Sequence, residues 1–335
     1  MRAIQFSSPG GPETIAEVDI PVPVPGAGQV AIAVRYAGLN FVDVLARRGT
    51  PGYATGWPYV PGMEVSGEVV ALGPGVAGFA VGDPVVAFTV DGGGLAETVV
   101  AEAALCARIP SGLEPATATT VPLTWATALG LTRAAHVGET DRVLVTGAGG
   151  GVGDALAAVL GLRTPAALVG GARPWAASTL AAAYRPAVRD ADFAAAARKA
   201  NDGELFDVVL ESIGGDVSEA VAALLAPGGR LVSYGATAGQ PDPVPPTYAE
   251  LRRNNWTMTG FSISNRARAD AGAVGDLIAA VFTLAGQGLS IPAPRIVDWN
   301  QASTAHVAQA EGRSPGKTVA AVRPAIAEDN SALTS

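Results

Sequence analysis

The chain has 335 residues, of which 49 % are hydrophobic and 16 % are charged. This length predicts two domains, and the composition predicts large buried cores and excludes an intrinsically disordered protein. The formal net charge of −8 excludes non-specific nucleic-acid binding, because the chain has no basic surplus to displace counterions.

The first third of the chain is rich in strand-forming residues and turns. Residues 29–36, 64–72 and 83–88 are predicted strands. Turns with glycine and proline stand at residues 25–28 and 73–75. Short strands at this spacing predict a compact β-rich domain.

Near residue 115 the pattern changes to strands that alternate with helices. The predicted elements are helices at 116–135 and 153–162 and strands at 142–146, 166–169, 206–210 and 230–235. This alternation indicates right-handed crossovers and a parallel sheet. From about residue 260 the chain is expected to return to the first domain.

A glycine cluster, residues 147–153, stands between a buried strand and a helix. Gly147, Gly150 and Gly153 have the spacing that gives a tight turn, close approach to a pyrophosphate and close helix–strand packing. The helix N-terminus, with Gly151 and Val152, would then turn its amides toward the diphosphate. We predict dinucleotide binding; the alternative is a structural turn that has lost its ligand.

The residue that reads the adenosine ribose is expected about 20 residues after the glycine motif. An NAD-selective site would place a carboxylate there, but this chain has Arg173. An arginine can pair with a 2′-phosphate, so the sequence favours NADPH over NADH. The alternative is an ordinary solvated loop arginine.

The motifs occur in an order that resembles the quinone oxidoreductase-like branch of the medium-chain dehydrogenase/reductase superfamily. The resemblance covers about residues 1–323. Its segments are residues 37–43, 61–64 with Gly67, 75–76 with Phe79, Gly82, Asp83 and Val85, 122–127, 143–153, 206–215, 227–235, 260–262 and 316–317. An ordered series of this kind is far more specific than the glycine motif alone.

The resemblance implies an α/β protein of two domains with the active site in the cleft. Residues 1–118 and 262–325 would form a GroES-like, β-rich catalytic domain. Residues 119–261 would form an inserted Rossmann domain with a doubly wound parallel sheet, and 326–335 a mobile tail. It also implies a homodimer, with an interface strand around residues 256–262.

The residues at the family's zinc positions are not metal ligands. Zinc alcohol dehydrogenases of this superfamily carry cysteine near Leu39 and His-Glu where this chain has Met63-Glu64. They also have a four-cysteine lobe after the position of Phe88, where this chain has only Cys106. A catalytic zinc needs three protein ligands, so the sequence predicts a zinc-free protein.

Without zinc, the reaction class that the resemblance implies is conjugate reduction of an enone, enoyl thioester or quinone. Asn40 matches the family's active-site asparagine and could donate to the substrate oxygen or the nicotinamide ribose; alternatively it is a turn residue. Asp43 is expected to cap the next helix. Tyr53 is a candidate proton donor, although its spacing is shifted by two residues and Leu45 replaces another family tyrosine. Protonation from water is the alternative.

Other family positions predict cofactor and substrate contacts. The predicted cofactor residues of this group are Thr127, Tyr234, Gly235, Phe261, Ser262 and Lys317. Thr127 could equally be a packing residue in mid-helix, and Lys317 a surface lysine. Four aromatic residues, Trp57, Tyr59, Trp125 and Trp256, are candidates for the pocket of a flat substrate, although each could be a core residue.

The chain departs from the family pattern at four places near the cofactor site. The usual Ser-x-x-Lys is replaced by Arg173 and its neighbours, and the turn before the third strand contains Tyr184. A frequent tyrosine appears as Val188, and Asp154 directly follows the glycine motif. An acid in a first helical turn complements the helix dipole, but it would also stand near a pyrophosphate. Altered cofactor affinity is expected.

Three functions therefore stay open. The first is an NADPH-dependent reductase of quinones or α,β-unsaturated carbonyls, possible in bacterial secondary metabolism by analogy alone. The second is a cyclase, isomerase or lyase, and the third a non-catalytic dinucleotide-binding protein. A cytoplasmic location is expected, because Cys106 is the single cysteine and neither a signal peptide nor a membrane span is predicted.

Overall fold

The protein is described here by a computed structural model that covers residues 1–190, 192–240 and 243–322. The predicted tail at 326–335 lies outside these residues. The strands are β1 (Arg2–Phe6), β2 (Ile15–Asp19), β3 (Gln29–Leu39), β4 (Glu64–Leu72), β5 (Pro84–Phe88), β6 (Thr98–Glu102), β7 (Cys106–Arg108), β8 (Arg142–Val145), β9 (Ala167–Ala172), β10 (Arg185–Val188), β11 (Phe206–Glu211), β12 (Leu225–Ser233), β13 (Thr257–Gly260), β14 (Arg295–Asp298) and β15 (Thr318–Ala321).

The helices complete the set of regular elements. They are α1 (Phe41–Arg47), α2 (Pro115–Ala118), α3 (Ala126–Ala134), α4 (Gly151–Gly161), α5 (Phe193–Ala200), α6 (Gly215–Ala222), α7 (Tyr248–Asn254), α8 (Ile263–Ala269), α9 (Ala271–Gly286) and α10 (Ala302–Ala310). Short 3₁₀ segments stand at Pro12–Thr14, Ala103–Leu105, Pro174–Thr179 and Trp299–Gln301. None of the helices in the described ranges is long and apolar enough to cross a membrane.

The chain forms two compact units. Unit 1 contains Met1–Pro122, Ala293–Ser314 and the described residues from Thr318 onward; unit 2 contains Leu123–Pro292 and Pro315–Lys317. In unit 1, β14, β15, β3, β4, β5 and β7 form one mostly antiparallel sheet, β6 pairs with β3, and β1 pairs with β2. Alternate residues of β3 and β4, such as Ile32, Val34 and Val65, point into the core of this unit.

Unit 2 is a doubly wound α/β fold. Its six strands are all parallel in the order β10-β9-β8-β11-β12-β13. Counted from β8, this order is 3-2-1-4-5-6, the order of dinucleotide-binding folds. The central strands β8 and β11 are buried along almost their whole length, as expected for a parallel sheet whose two faces are covered by helices. The predicted fold class, a GroES-like β-rich part with a Rossmann-type part, is confirmed.

The single helix expected at 116–135 is wrong. The segment contains α2, one π-helical turn at Val121–Trp125, and α3. Pro122 lacks an N–H and its ring clashes with the preceding turn, so it interrupts regular helix at this point. Thr127 is therefore the second residue of α3 rather than a mid-helix residue.

The division between the units also differs from the expected one. The chain does not leave the second unit at residue 262; it continues through α8 and α9 and leaves after Pro292. Both helices belong to unit 2 because they pack on α3, where Leu277 of α9 lies close to Gly130. A short return segment, Pro315–Lys317, also belongs to unit 2.

Candidate functional site

The glycine turn lies at the point where the strand order of unit 2 reverses. β8 is flanked by β9 on one side and by β11 on the other, and the chain leaves its carboxyl end into residues 147–150 before α4 begins at Gly151. Open parallel sheets bind ligands in the crevice at this switch point. The backbone amides of the first turn of α4, which includes Gly151 and Val152, have no partner within the helix and face this crevice.

Close contacts require glycine at two of the three motif positions, Gly147 and Gly153. A Cβ on Gly153 would stand 2.4 Å from the Ala148 carbonyl oxygen and 2.5 Å from that of Gly147, so only glycine fits between helix and turn. A Cβ on Gly147 would stand 2.7 Å from the Ser212 hydroxyl. A Cβ on Gly150 would meet its nearest atom only at 3.5 Å, so the space beside this residue is open; Gly150 has an extended backbone and directly precedes α4.

The return segment closes the turn from a distant part of the sequence. Gly316 forms a parallel bridge with Gly150, and its amide donates to the Gly149 carbonyl at 3.3 Å. Next to it, the side chain of Lys317 lies over Gly151: a Cβ there would stand 3.2 Å from Lys317 Cδ. A half-buried lysine is thereby held beside the amides of the helix N-terminus. The residues present fit a dinucleotide diphosphate.

A buried carboxylate and a threonine hold the neighbouring turn after β11. Glu211 is 1 % exposed, and its Oε1 accepts from the amides of Ile213 and Gly214 at 2.6 and 3.0 Å. The Thr146 hydroxyl accepts from the Ser212 amide at 3.0 Å. Sequence reasoning did not single out Glu211; its position at the carboxyl end of a predicted central strand was the available signal.

Tyr184 packs against the first turn of α4, and Asp154 belongs to that turn. The Tyr184 hydroxyl donates to the Gly153 carbonyl at 2.7 Å, and its ring lies over Gly170, where a Cβ would meet it at 2.8 Å. Burial raises the pKa of Tyr184 well above its ordinary value and raises the pKa of Asp154 to about 6. Tyr184, at which the chain departs from the family pattern, thus fixes the start of α4 through its hydrogen bond to Gly153.

The other predicted cofactor residues of unit 2 follow the same edge of the sheet. Tyr234 and Gly235 directly follow β12, and Phe261 and Ser262 directly follow β13. The Ser262 hydroxyl accepts from the Asn265 amide and caps α8, and the Phe261 ring packs on Gly130. Arg173 directly follows β9 and is exposed. Thr127 is buried at the start of α3.

A hydrogen-bonded corner of unit 1 surrounds Asn40. Its side-chain nitrogen donates to the Gly38 carbonyl at 3.3 Å and to Glu64 Oε1 at 3.2 Å. Since a carboxylate only accepts, Glu64 fixes which end of the Asn40 amide faces it. Asp43 is fully buried and accepts from the amides of Asn40 and Gly62 at 3.1 and 3.0 Å. Asp43 therefore caps α1, as predicted, while Glu64 was not expected to hold Asn40.

Aromatic side chains surround Tyr53 in unit 1. Tyr53 and Trp57 are half-buried and pack against a cluster that includes Phe6 and Tyr59. The rings of Trp57 and Tyr59 meet edge to face, with 6.4 Å between their centroids. Tyr59 is only 4 % exposed, so it belongs to the core and supports Trp57 rather than lining a pocket.

Two further aromatic predictions are corrected by the structure. Trp256 precedes β13, at the amino edge of the parallel sheet, whereas the glycine turn lies at the carboxyl edge. Its indole nitrogen donates to the Ala226 carbonyl at 2.8 Å and its ring packs on the unit 2 core. Trp125 is 3 % exposed. Trp256 therefore packs against the core of unit 2 with its N–H satisfied locally, and Trp125 is a buried core residue.

No group of three His, Cys, Asp or Glu side chains that could hold a metal occurs within residues 1–190, 192–240 and 243–322. The positions that correspond to zinc ligands are filled by Leu39 and Met63, which are 1 % and 3 % exposed.

Comparisons with known proteins match both units. The model of the alcohol dehydrogenase GroES-like domain matches residues 26–111, and that of the zinc-binding dehydrogenase matches residues 180–319. The pikromycin polyketide synthase component PikAII of Streptomyces venezuelae is 35 % identical over 324 residues, which are 93 % of this chain and 8 % of that protein. The human synaptic vesicle membrane protein VAT-1 homolog-like is 32 % identical over 71 % of this chain and 57 % of its own length. The chain thus spans less than two thirds of these curated relatives.

Solved structures are similar to this protein over nearly its whole chain. The mycobacterial protein Rv1454c, complexed with NADPH, has a TM-score of 0.85 and 28 % identity over 96 % of this chain and 100 % of that chain. The quinone oxidoreductase of Pseudomonas syringae pv. Tomato DC3000 has a TM-score of 0.84 and 25 % identity over 96 % and 99 %. The two matched domains, the strand order and these structural neighbours identify the family. The chain belongs to the medium-chain dehydrogenase/reductase superfamily of oxidoreductases, in the quinone oxidoreductase-like branch.

Proposed function

We propose that the protein is an NADPH-dependent reductase of quinones or α,β-unsaturated carbonyls that works without zinc. The observation that carries this proposal is the glycine turn at the switch point of the unit 2 sheet, with Arg173 at the end of the adjacent strand β9. The NADPH complex of the related mycobacterial protein supports the choice of coenzyme.

The proposal of zinc-free chemistry rests on the residues at the ligand positions. Leu39 and Met63 are apolar and buried in unit 1, and neither leucine nor a thioether is a usual zinc ligand. Reduction of a saturated carbonyl relies on a strong electrophile at the alkoxide oxygen. Conjugate reduction spreads the charge into an enolate or hydroquinone, which hydrogen-bond donors stabilise. This chemistry fits the side chains of the site better.

When bound, NADPH supplies a hydride to the conjugated acceptor. We assign to Asn40 a hydrogen bond from its side-chain amide to the substrate oxygen. This requires that the amide give up its hydrogen bond to the Gly38 carbonyl, which at 3.3 Å is the longer of its two hydrogen bonds. The other N–H of the amide continues to donate to Glu64, which holds the Asn40 side chain in place. Tyr53, half-buried beside Trp57, is the side-chain candidate for the proton donor, and water is the alternative.

We also propose a homodimer, a flat substrate and a cytoplasmic location. β13 ends the parallel sheet of unit 2 and its residues are exposed, so its outer edge could pair with a second copy. The half-buried ring of Trp57 supports a planar substrate. The single cysteine, Cys106, supports a reducing compartment.

A coenzyme titration followed by a substrate panel tests the function. Fluorescence titration should show NADPH binding more tightly than NADH, and loss of the nicotinamide absorbance band should follow addition of a quinone or an enone. Arg173→Ala should weaken NADPH at least about tenfold and NADH little, whereas Arg163→Ala, at an exposed position after α4, should change neither. A protein that binds neither coenzyme contradicts the proposal, as does substrate turnover without loss of absorbance.

A further inference from the structure

A second arginine leaves the sheet of unit 2 beside Arg173. Arg189 directly follows β10, and β10 pairs in parallel with β9, which Arg173 directly follows. The backbone amide of Arg189 donates to the Ala172 carbonyl at 2.7 Å. One arginine therefore directly follows each of two adjacent parallel strands, at the carboxyl edge of the sheet where the glycine turn also lies.

The guanidinium of Arg189 has an unused donor that is shielded from water. Its Nη1 atom is buried and has no hydrogen-bond partner within the described parts of the chain. The great majority of buried side-chain donors in proteins have a hydrogen-bond partner. Burial, followed by the positive charge of Arg173, lowers the pKa of Arg189, and the charge of Glu211 acts in the opposite direction.

The nearby acid does not supply the missing acceptor. Glu211 Oε1 already accepts from the amides of Ile213 and Gly214, and no ion pair joins Glu211 to Arg189 among the described residues. Arg189 is destabilised by burial and by the positive charge of Arg173, and it has an unpaired buried N–H. Together with Arg173 it forms a site that an anion would stabilise. A phosphate monoester carries close to two negative charges and matches the planar fork of arginine.

The position of the pair selects which phosphate this is. The end of the second strand of the fold, here β9, is where such domains read the adenosine ribose, and a nearby arginine there accommodates a 2′-phosphate. We propose that Arg189 is a second specificity-determining residue, which binds the 2′-phosphate of NADPH together with Arg173. This inference rests on the proposed function.

Two adenosine nucleotides that differ only in the 2′-phosphate test the assignment by calorimetry on the full chain. Adenosine 2′,5′-bisphosphate should bind the wild-type protein at least about tenfold more tightly than adenosine 5′-monophosphate. Arg189→Met should remove most of this difference and leave the monophosphate within about twofold. Arg189→Lys, which keeps the charge but not the fork, should retain part of it.

The matched control is Arg185→Met. Arg185 stands on the same strand, but its side chain is exposed and pairs with Asp202 at 2.7 Å, so both affinities should stay at their wild-type values. Unchanged preference in Arg189→Met overturns this inference and leaves the reductase proposal standing. Equal weakening of both nucleotides also overturns it, because it would show a structural role. A wild-type protein that binds neither nucleotide overturns the proposed function and the inference with it.

Discussion

The glycine turn of unit 2 and the Asn40 corner of unit 1 are built in different ways. The turn is made of backbone groups: amides of α4, the carbonyls of Gly147 and Ala148 packed on Gly153, and the bridge to Gly316. The corner is made of side chains: Glu64 accepts from the Asn40 side chain, and Asp43 accepts from the backbone amides of Asn40 and Gly62. A backbone site depends on the absence of side chains, whereas a side-chain site depends on particular functional groups. The two should therefore fail in different ways when altered.

The largest effect is expected at the glycine turn. Gly153→Ala would place a methyl group 2.4 and 2.5 Å from two carbonyl oxygens, which the backbone cannot absorb without moving the first turn of α4. We expect loss of measurable NADPH binding and a loss of roughly 1–3 kcal/mol of stability from overpacking. Fluorescence titration and urea unfolding measure the two quantities.

The control for this change is Gly161→Ala, at the last residue of the same helix. A Cβ there meets nothing within 4 Å, so coenzyme binding should be unchanged. Normal coenzyme affinity in Gly153→Ala would show that the turn adapts to a side chain and would remove the contrast with the corner.

An intermediate effect is expected at the corner. Asn40→Ala removes a donor but no backbone contact of the turn, so we expect turnover to fall about 10- to 100-fold while NADPH affinity stays the same. Steady-state kinetics with a quinone or enone, combined with coenzyme titration, separates the two quantities. Asn254→Ala, at the half-buried last residue of α7, serves as the control. Unchanged turnover in Asn40→Ala would limit Asn40 to capping α1.

The smallest effect on activity is expected at Asp154, the one acid of α4, where the predicted change is in stability. Burial raises its pKa to about 6 in the folded protein from 3.8, so the folded state holds the proton more tightly than the unfolded state. Stability is therefore lost as the pH rises from about 4 through about 6. Asp154→Asn should increase the free energy of unfolding by on the order of 2 kcal/mol at about pH 8 and by almost nothing at about pH 4.

Urea unfolding at the two pH values checks this prediction. The control is Asp216→Asn, an exposed acid in the first turn of α6, where removal of the charge should slightly reduce stability through the helix dipole. A stabilisation of Asp154→Asn that does not depend on pH would assign the effect to packing and not to charge.

The parts of the molecule that local sequence determines were predicted well. β4 was predicted at its observed bounds, and α4 begins within two residues of its predicted start. The glycine spacing predicted the turn in part because Gly153 is required by the carbonyl oxygens of Gly147 and Ala148, which lie only a few residues before it. The capping role of Asp43 also follows from its position three residues after Asn40.

The parts that depend on distant residues were not predicted. Glu64 reaches Asn40 across 24 positions, and no local pattern identifies a carboxylate as the partner of an amide. Trp256 and Tyr59 were candidates for either the pocket or the core, because aromatic composition does not distinguish a core residue from a pocket wall. The same limit applies to α8 and α9, whose apolar faces fit either unit until their contacts with α3 are known.

The return segment Pro315–Lys317 has a consequence for dissecting the protein. A fragment that ended at Pro292 would keep every strand of the parallel sheet and the whole glycine motif, but it would lose Gly316 and Lys317 from the turn. An excised nucleotide domain would thus be a poor stand-in for the enzyme. A fragment that carried these three residues on a grafted connection would restore the missing side of the turn, because the proposed coenzyme site is encoded at two separate places in the gene.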